Sequence, residues 1–224
     1  DLHWSGYLFL LDNEADLTLF RRNVAMQNRL GVPSRIIAQQ EAHALAPLLS
    51  LEDILAAAWH AGDGLADPNG VVQGYAMGAR RLGVKTLTSV EATGIRVESG
   101  RVTAVETSRG VIAAPVVIDA AGPWAGVVAA MAGVNLPITP LRRQIAVTTP
   151  LAGLPADFPF VIDFSRSLYF HREGEGILTG QSNPHETPGF DQSVDNAWTE
   201  QHLELAAWRF PLLSQAGLLS QWAG

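Results

Sequence analysis

The chain has 224 residues, 47% of them apolar, a formal net charge of −7 and no cysteine. That length and apolar content can bury a substantial core in one or two domains, while the scattered Lys and Arg offer no basic stripe for nucleic acid or an anionic membrane surface. Disulfides, thiolate metal sites and thiol nucleophiles are excluded, which fits a reducing compartment with the cytoplasm as the expected location, and no apolar run approaches the ~20 residues needed to span a bilayer.

The chain opens on Asp1-Leu2-His3-Trp4 with neither an initiator Met nor a basic signal region, so it reads as an internal piece of a longer polypeptide. An apolar strand is expected over 7–11, followed by a helix capped by Asp12 or Asn13, carrying Leu17, Phe20, Val24 and Leu30 and ended by Gly31. A short helix around 40–46 stops at Pro47. Asp67 caps and Pro68 opens the next helix, which runs to Leu82 and Gly83. Strands are then expected over 84–90, 92–98 and 101–107, the last two turning at Ser99-Gly100, with a third ribbon strand reaching Ala113.

Next comes Val116-Val117-Ile118-Asp119-Ala120-Ala121-Gly122-Pro123-Trp124, in which β-branched residues run into small ones and then into a helix ending near Gly133. Small residues at a strand's C-terminal end let a backbone approach a flat or phosphorylated ligand, although close helix–strand packing demands the same residues. Beyond the proline-punctuated stretch 136–140 the pattern becomes antiparallel, with strands over 143–149, 160–164, 168–172 and 177–180. A helix over 194–210 and a strand beginning at Leu218 complete the chain.

In their order these segments resemble the FAD-dependent amine and amino-acid oxidoreductases related to D-amino-acid oxidase, glycine oxidase and sarcosine oxidase. The match rests on Gly6-Tyr7-Leu8-Phe9-Leu10, Asp67-Pro68, residues 83–90, Ala120-Ala121-Gly122-Pro123-Trp124, Pro140-Leu141-Arg142-Arg143-Gln144, Leu168-Tyr169-Phe170, Gly176-Ile177-Leu178-Thr179-Gly180 and Trp222-Ala223-Gly224. The resemblance implies an α+β fold in which an antiparallel-sheet substrate domain with helices is interleaved with part of an α/β, Rossmann-like FAD-binding domain that includes a three-stranded β-ribbon. The implied division is 1–83 and 135–217 for the substrate domain, 84–134 for the partial FAD-binding domain, and 218–224 for the start of a returning FAD-domain strand. The family's Gly-x-Gly-x-x-Gly turn has no counterpart, since Gly174 and Gly176 precede no helix. The piece alone is therefore expected to be inactive and to hold FAD weakly.

By the same resemblance Val90 would offer backbone groups to the adenine, and Ala120, Ala121, Gly122 and Trp124 would lie along the ribityl chain and flavin. An ordinary anchoring role for the Trp124 ring is the competing reading. Strand alternation sets Tyr169 and His171 on one face and Phe170 and Arg172 on the other. Tyr169 and His171 are the candidate catalytic pair, the hydroxyl orienting an amine or carboxylate and the imidazole serving as base, a role open to histidine because an unperturbed imidazole titrates near neutral pH. Both also suit plain strand positions. Leu178 falls where monomeric sarcosine oxidase-like relatives carry a lysine thought to assist oxygen, which favours a dehydrogenase. Arg142 and Arg143 are either cations at the flavin edge or a solvated strand start.

No histidine spacing marks a metal site, and Asp63 and Asp67 read as a turn and an N-cap rather than a calcium loop. The expected activity is oxidation of the C–N bond of a small amine or amino acid of the sarcosine, glycine, proline or D-amino-acid class. No nucleic acid, membrane or metal partner is expected. The alternatives are an FAD-dependent dehydrogenase of a hydroxy acid or glycerol-3-phosphate, which a phosphate-binding arginine cluster on the antiparallel sheet would favour, and a non-catalytic binding or assembly module.

Overall fold

A computed structural model describes residues 2–224. The chain divides into two compact units, the first comprising residues 1–70, 143–185 and 192–224, the second 71–142 and 186–191.

The first unit is built on an eight-stranded sheet in the order β13-β9-β12-β11-β10-β2-β4-β3. Its strands are β2 (Tyr7–Leu11), β3 (Arg35–Ala38), β4 (Ala56–His60), β9 (Gln144–Thr148), β10 (Phe160–Asp163), β11 (Leu168–Glu173), β12 (Gly176–Gln181) and β13 (Leu218–Ala223). A separate pair joins β1 (Leu2–Trp4) to β5 (Gly64–Ala66). The sheet is antiparallel, as expected, except that β10 lies parallel to β2, with Phe160 beside Tyr7 and Asp163 beside Leu10. The expectation that 218–224 starts a strand of the FAD-binding domain is also corrected, because β13 pairs antiparallel with β9 and closes the edge of this sheet. Its inner row of backbone groups pairs there, with Gly224 and Arg143 exchanging both hydrogen bonds.

Alternation sorts the side chains of this sheet. Leu8, Leu10, Ala57, Val161, Leu168, Phe170 and Ile177 face α2 (Gln39–Leu45) and α5 (Asn196–Arg209), forming with Ala42, Ala206 and Phe210 the main core. Each large aliphatic or aromatic side chain so buried contributes about 1.5–3 kcal/mol relative to exposure. On the opposite face α1 (Glu14–Arg29) covers only one end, where Leu17, Phe20 and Val24 meet Leu11, Ala56 and Ala58. The i, i+3, i+7 spacing of those three residues gives α1 its apolar stripe. Asn13 caps it by accepting from the Asp16 amide at 2.9 Å. Its C-terminus closes with Gly31 at φ +87° and the Val32 amide donating to the Gln27 carbonyl, a turn that glycine makes without the Cβ clash. Among the described residues of this unit, no helix packs on the same face over β11, β12, β9 and β13.

The second unit contains most of α3 (Pro68–Arg81), the ribbon β6 (Ala92–Glu98), β7 (Arg101–Thr107) and β8 (Gly110–Ala113), and α4 (Ala125–Met131). The ribbon matches its expected bounds. Ser99 and Gly100 both have positive φ, 51° and 76°, the backbone that a two-residue hairpin turn with the strands' natural twist requires. Two expected strands do not form. Residues 84–90 and 116–118 enter no ladder, and Val116 and Ile118 are 73% and 86% exposed. β-branched residues favour extended backbone, but a strand exists only through a partner, and no described residue supplies one.

Candidate functional site

This same face of the first unit's sheet, opposite its main core, gathers aromatic residues. Phe160 lies at its centre, stacked on Tyr7 (ring centroids 4.4 Å apart), His171 (5.2 Å) and Tyr169 (5.8 Å). Tyr169 and His171 thus share a face, as alternation predicted, while Phe170 is fully buried in the core on the other side. Arg172 is tied down by donating to the Leu154 and Pro155 carbonyls at 3.0 and 3.1 Å.

His171 Nδ1 lies 2.9 Å from the Arg172 carbonyl oxygen. A carbonyl can only accept, so this contact places the proton of the neutral ring on Nδ1 and leaves Nε2 as a lone-pair acceptor. Glu173 Oε2, 4.0 Å from the same nitrogen, would support the cation if the ring gained a second proton. His171 and Leu178, directly opposite on β12, line an open groove of about 970 Å³ whose other walls include Ile145 and Trp222. Tyr169 borders a different groove of about 660 Å³, with Phe9, Phe160, Ile162 and Phe164. The two candidate residues therefore stand side by side, joined through Phe160, but open into neighbouring depressions. Burial raises the Tyr169 hydroxyl pKa, with the charge of Arg143 pulling the other way.

In the second unit, the segment expected to lie beside a flavin forms a tight turn. Asp119 Oδ1 accepts from the Ala121 amide at 3.1 Å, and a 3-10 turn over Gly122–Trp124 leads into α4. Gly122 has φ +56°, with open space where a Cβ would be, and Ala120, Gly122 and Pro123 are exposed. A run with no side chain larger than a methyl before Pro123 fits close approach of a planar cofactor to the backbone. Trp124 stacks on Phe190 at 5.5 Å yet stays 45% exposed, so the ring is anchored while part of its surface stays open. Asp119 Oδ2 is buried with no hydrogen-bond partner among the described residues. Val90 is half-buried in the coil that precedes β6.

Arg142 is not a solvated strand start. It forms a charged cluster with Glu186 at 3.1 Å and Asp191 at 3.0 Å, its side chain 12% exposed. This fastens residues 186–191 to the second unit. Asp67 caps α3 through the Asn69 and Gly70 amides, both at 3.0 Å, as expected.

A larger polar network escaped sequence reasoning altogether. Arg209, fully buried on α5, donates to the equally buried Asp163 at 2.8 Å, to Asp53 at 2.7 and 2.9 Å and to the Ser50 carbonyl. Arg166 joins Asp12, Asp53 and Asp163, and Trp208 lies under both guanidinium groups at 5.0 and 4.6 Å. Burial pushes the Asp53 carboxyl up, but hydrogen bonding and charge from Arg209 pull it below its ordinary range. Its members come from four separate stretches, and the local signal is no more than a pair of charges, Asp163 and Arg209, set against apolar residues.

The family model described as "FAD dependent oxidoreductase" matches residues 1–224, and the chain belongs to that family. Among its relatives, sarcosine dehydrogenase, mitochondrial, of Mus musculus is 29% identical over 236 residues, covering 98% of this chain and 25% of that protein. The β subunit of sarcosine oxidase from Rhodobacter capsulatus is 30% identical, covering 98% and 53%. Of the solved structures, L-proline dehydrogenase from P. horikoshii superimposes with a TM-score of 0.90 at 30% identity, covering all of this chain and 60% of that one. The chain thus spans between a quarter and three-fifths of the length of these relatives. No helix among the described residues is long and apolar enough to cross a membrane.

Proposed function

We propose that the protein containing this chain oxidises the C–N bond of a small amine or amino acid, of the sarcosine, glycine or proline class, with bound FAD. The observation that carries this reading is the His171 ring on the open sheet face, its Nδ1 committed to a backbone carbonyl and its Nε2 left able to accept a proton. The names of the relatives, which act on sarcosine and proline, support the substrate class.

Bound FAD would supply the two-electron acceptor that no side chain can provide. Val90 would meet the adenine, and Ala120, Ala121, Gly122 and Trp124 would line the ribityl chain and flavin. At the sheet, His171 Nε2 takes the proton from the substrate ammonium, freeing the nitrogen lone pair that C–N oxidation requires, and the Tyr169 hydroxyl holds the amine or carboxylate in place. Leu178, beside His171, brings no charge to stabilise reduced oxygen, which supports a dehydrogenase passing electrons to another acceptor. Arg172 and Arg166 are engaged by carbonyls and carboxylates, so neither lends itself to the phosphate binding that a glycerol-3-phosphate reading requires. The cysteine-free sequence supports a reducing compartment, for which we retain the cytoplasm, although several relatives are mitochondrial by name.

The test is the visible spectrum of the full-length protein before and after anaerobic addition of sarcosine, glycine, proline and D-amino acids. A yellow protein bleached by one of them is expected, and a colourless one refutes the proposal. In His171→Gln the reduction rate at neutral pH should fall by about 10²–10⁴-fold. The loss should shrink as the pH rises and the free amine form of the substrate dominates. Leu178→Lys should speed reoxidation of the reduced protein by air.

A further inference from the structure

We propose that Gly180 is a positioning residue whose missing side chain lets Tyr169 lie across β12 and fixes where its hydroxyl sits. The inference rests on the reading of Tyr169 as a substrate contact and goes beyond it by naming what holds the ring. Tyr169 and Gly180 are directly paired between β11 and β12, and the same row continues to Ile145 on β9 and Trp222 on β13. Side chains on a strand ordinarily stand roughly perpendicular to the sheet. Here the far end of the phenol ring occupies the space above the glycine: a Cβ built on Gly180 would meet Tyr169 Cε1 at 2.7 Å, with Cζ and the hydroxyl oxygen closer still. No real Cβ tolerates such separations.

The ring is also held from the other side. Ile162 is its directly opposed neighbour on β10, and Phe160 lies against it with planes only 19° apart. Rotation toward β10 is therefore resisted, and the ring lies over the glycine instead. Gly180 has no backbone need for glycine, since its φ is not positive. It lies in a fully paired central strand, where an entropically costly residue calls for a packing reason. The ring itself is that reason. The arrangement fixes the hydroxyl at the level of the sheet surface, able to contact a small substrate lying flat on that surface.

The experiment is a pair of mutant cycles in the full-length protein. The atoms displaced by Gly180→Ala belong to the far end of a side chain, so this variant should fold with the ring swung outward. Anaerobic reduction by the best amine substrate is measured for Gly180→Ala, Tyr169→Phe and the double variant. Each single variant should lose about tenfold in kcat/KM, the scale of one hydrogen bond. The double variant should be no worse than either single one, because both remove the same placed hydroxyl. Multiplied losses, or a normal Gly180→Ala beside an impaired Tyr169→Phe, overturn the positioning role. A normal Tyr169→Phe overturns the substrate reading of Tyr169 and the inference with it. The second cycle reads thermal stability: Gly180→Ala should lower Tm when Tyr169 is present and leave it unchanged in a Tyr169→Ala background. Equal losses in both backgrounds would show that the ring is not what Gly180 accommodates.

Discussion

His202 shows what burial does to a single titratable group. It lies on α5, 1% exposed, with its Nε2 3.0 Å from Thr179 Oγ1, and desolvation lowers its pKa to about 4. The unfolded chain titrates near 6.5, so between those values it binds more protons than the folded one. The resulting stability is complete above about pH 6.5 and disappears as the pH falls toward 4, amounting to about 3 kcal/mol. Denaturant melts at pH 7 and pH 5 should therefore show a loss that His202→Gln, which keeps a hydrogen-bonding group but does not titrate, largely abolishes. Nothing around position 202 in the sequence announces this, because burial of one histidine depends on which helix face meets the sheet. The placement of Tyr169 and His171 was readable, since alternation along one strand is a local rule; the link through Phe160 was not, since it depends on which strand lies beside β11.

At the level of elements, local chemistry was legible wherever an element is closed by its own residues. The Asn13 cap, the Asp67-Pro68 helix start and the Ser99-Gly100 turn all stand where the residue types put them. Elements that need distant partners were not so readable, and the unpaired 84–90 and 116–118 segments are the clearest cases. The Arg209 network lies at the far end of that scale, tying α5 to β10, to the 50–53 loop and, through Arg166, to the residue before the α1 cap. Arg209→Ala leaves Asp163 buried with only the more distant Arg166 guanidinium, 3.4 Å away, and should cost about 3–5 kcal/mol in urea unfolding. Asp195→Ala, which removes the α5 cap made to the Trp198 amide, should cost only about 1 kcal/mol.

At the scale of the molecule, the two units differ in how they are held. The eight-stranded sheet has Leu8, Leu10, Val161, Phe170 and Ile177 fully buried on one face, whereas in the ribbon only Ala104 is buried. Hydrogen exchange in the full-length protein should therefore find the central amides of β2, β10 and β11 protected to the global limit, and those of β6 to β8 exchanging earlier through local opening. Comparable protection in both would mean that the ribbon is covered by further parts of the protein.

The parallel pairing of β2 with β10 also sets an order of events during synthesis. β2 finds β4 within about 50 residues, but its other edge waits for Phe160, some 150 residues later. At ~5–20 residues per second that interval lasts roughly 10–30 s. Throughout it, Tyr7-Leu8-Phe9-Leu10-Leu11 emerges from the ribosome as an apolar strand with one row of amides and carbonyls unclaimed, the kind of edge that recruits other chains. The sheet that carries His171 is in this sense finished late, and yield in the cell will depend on how well that edge is shielded in the meantime.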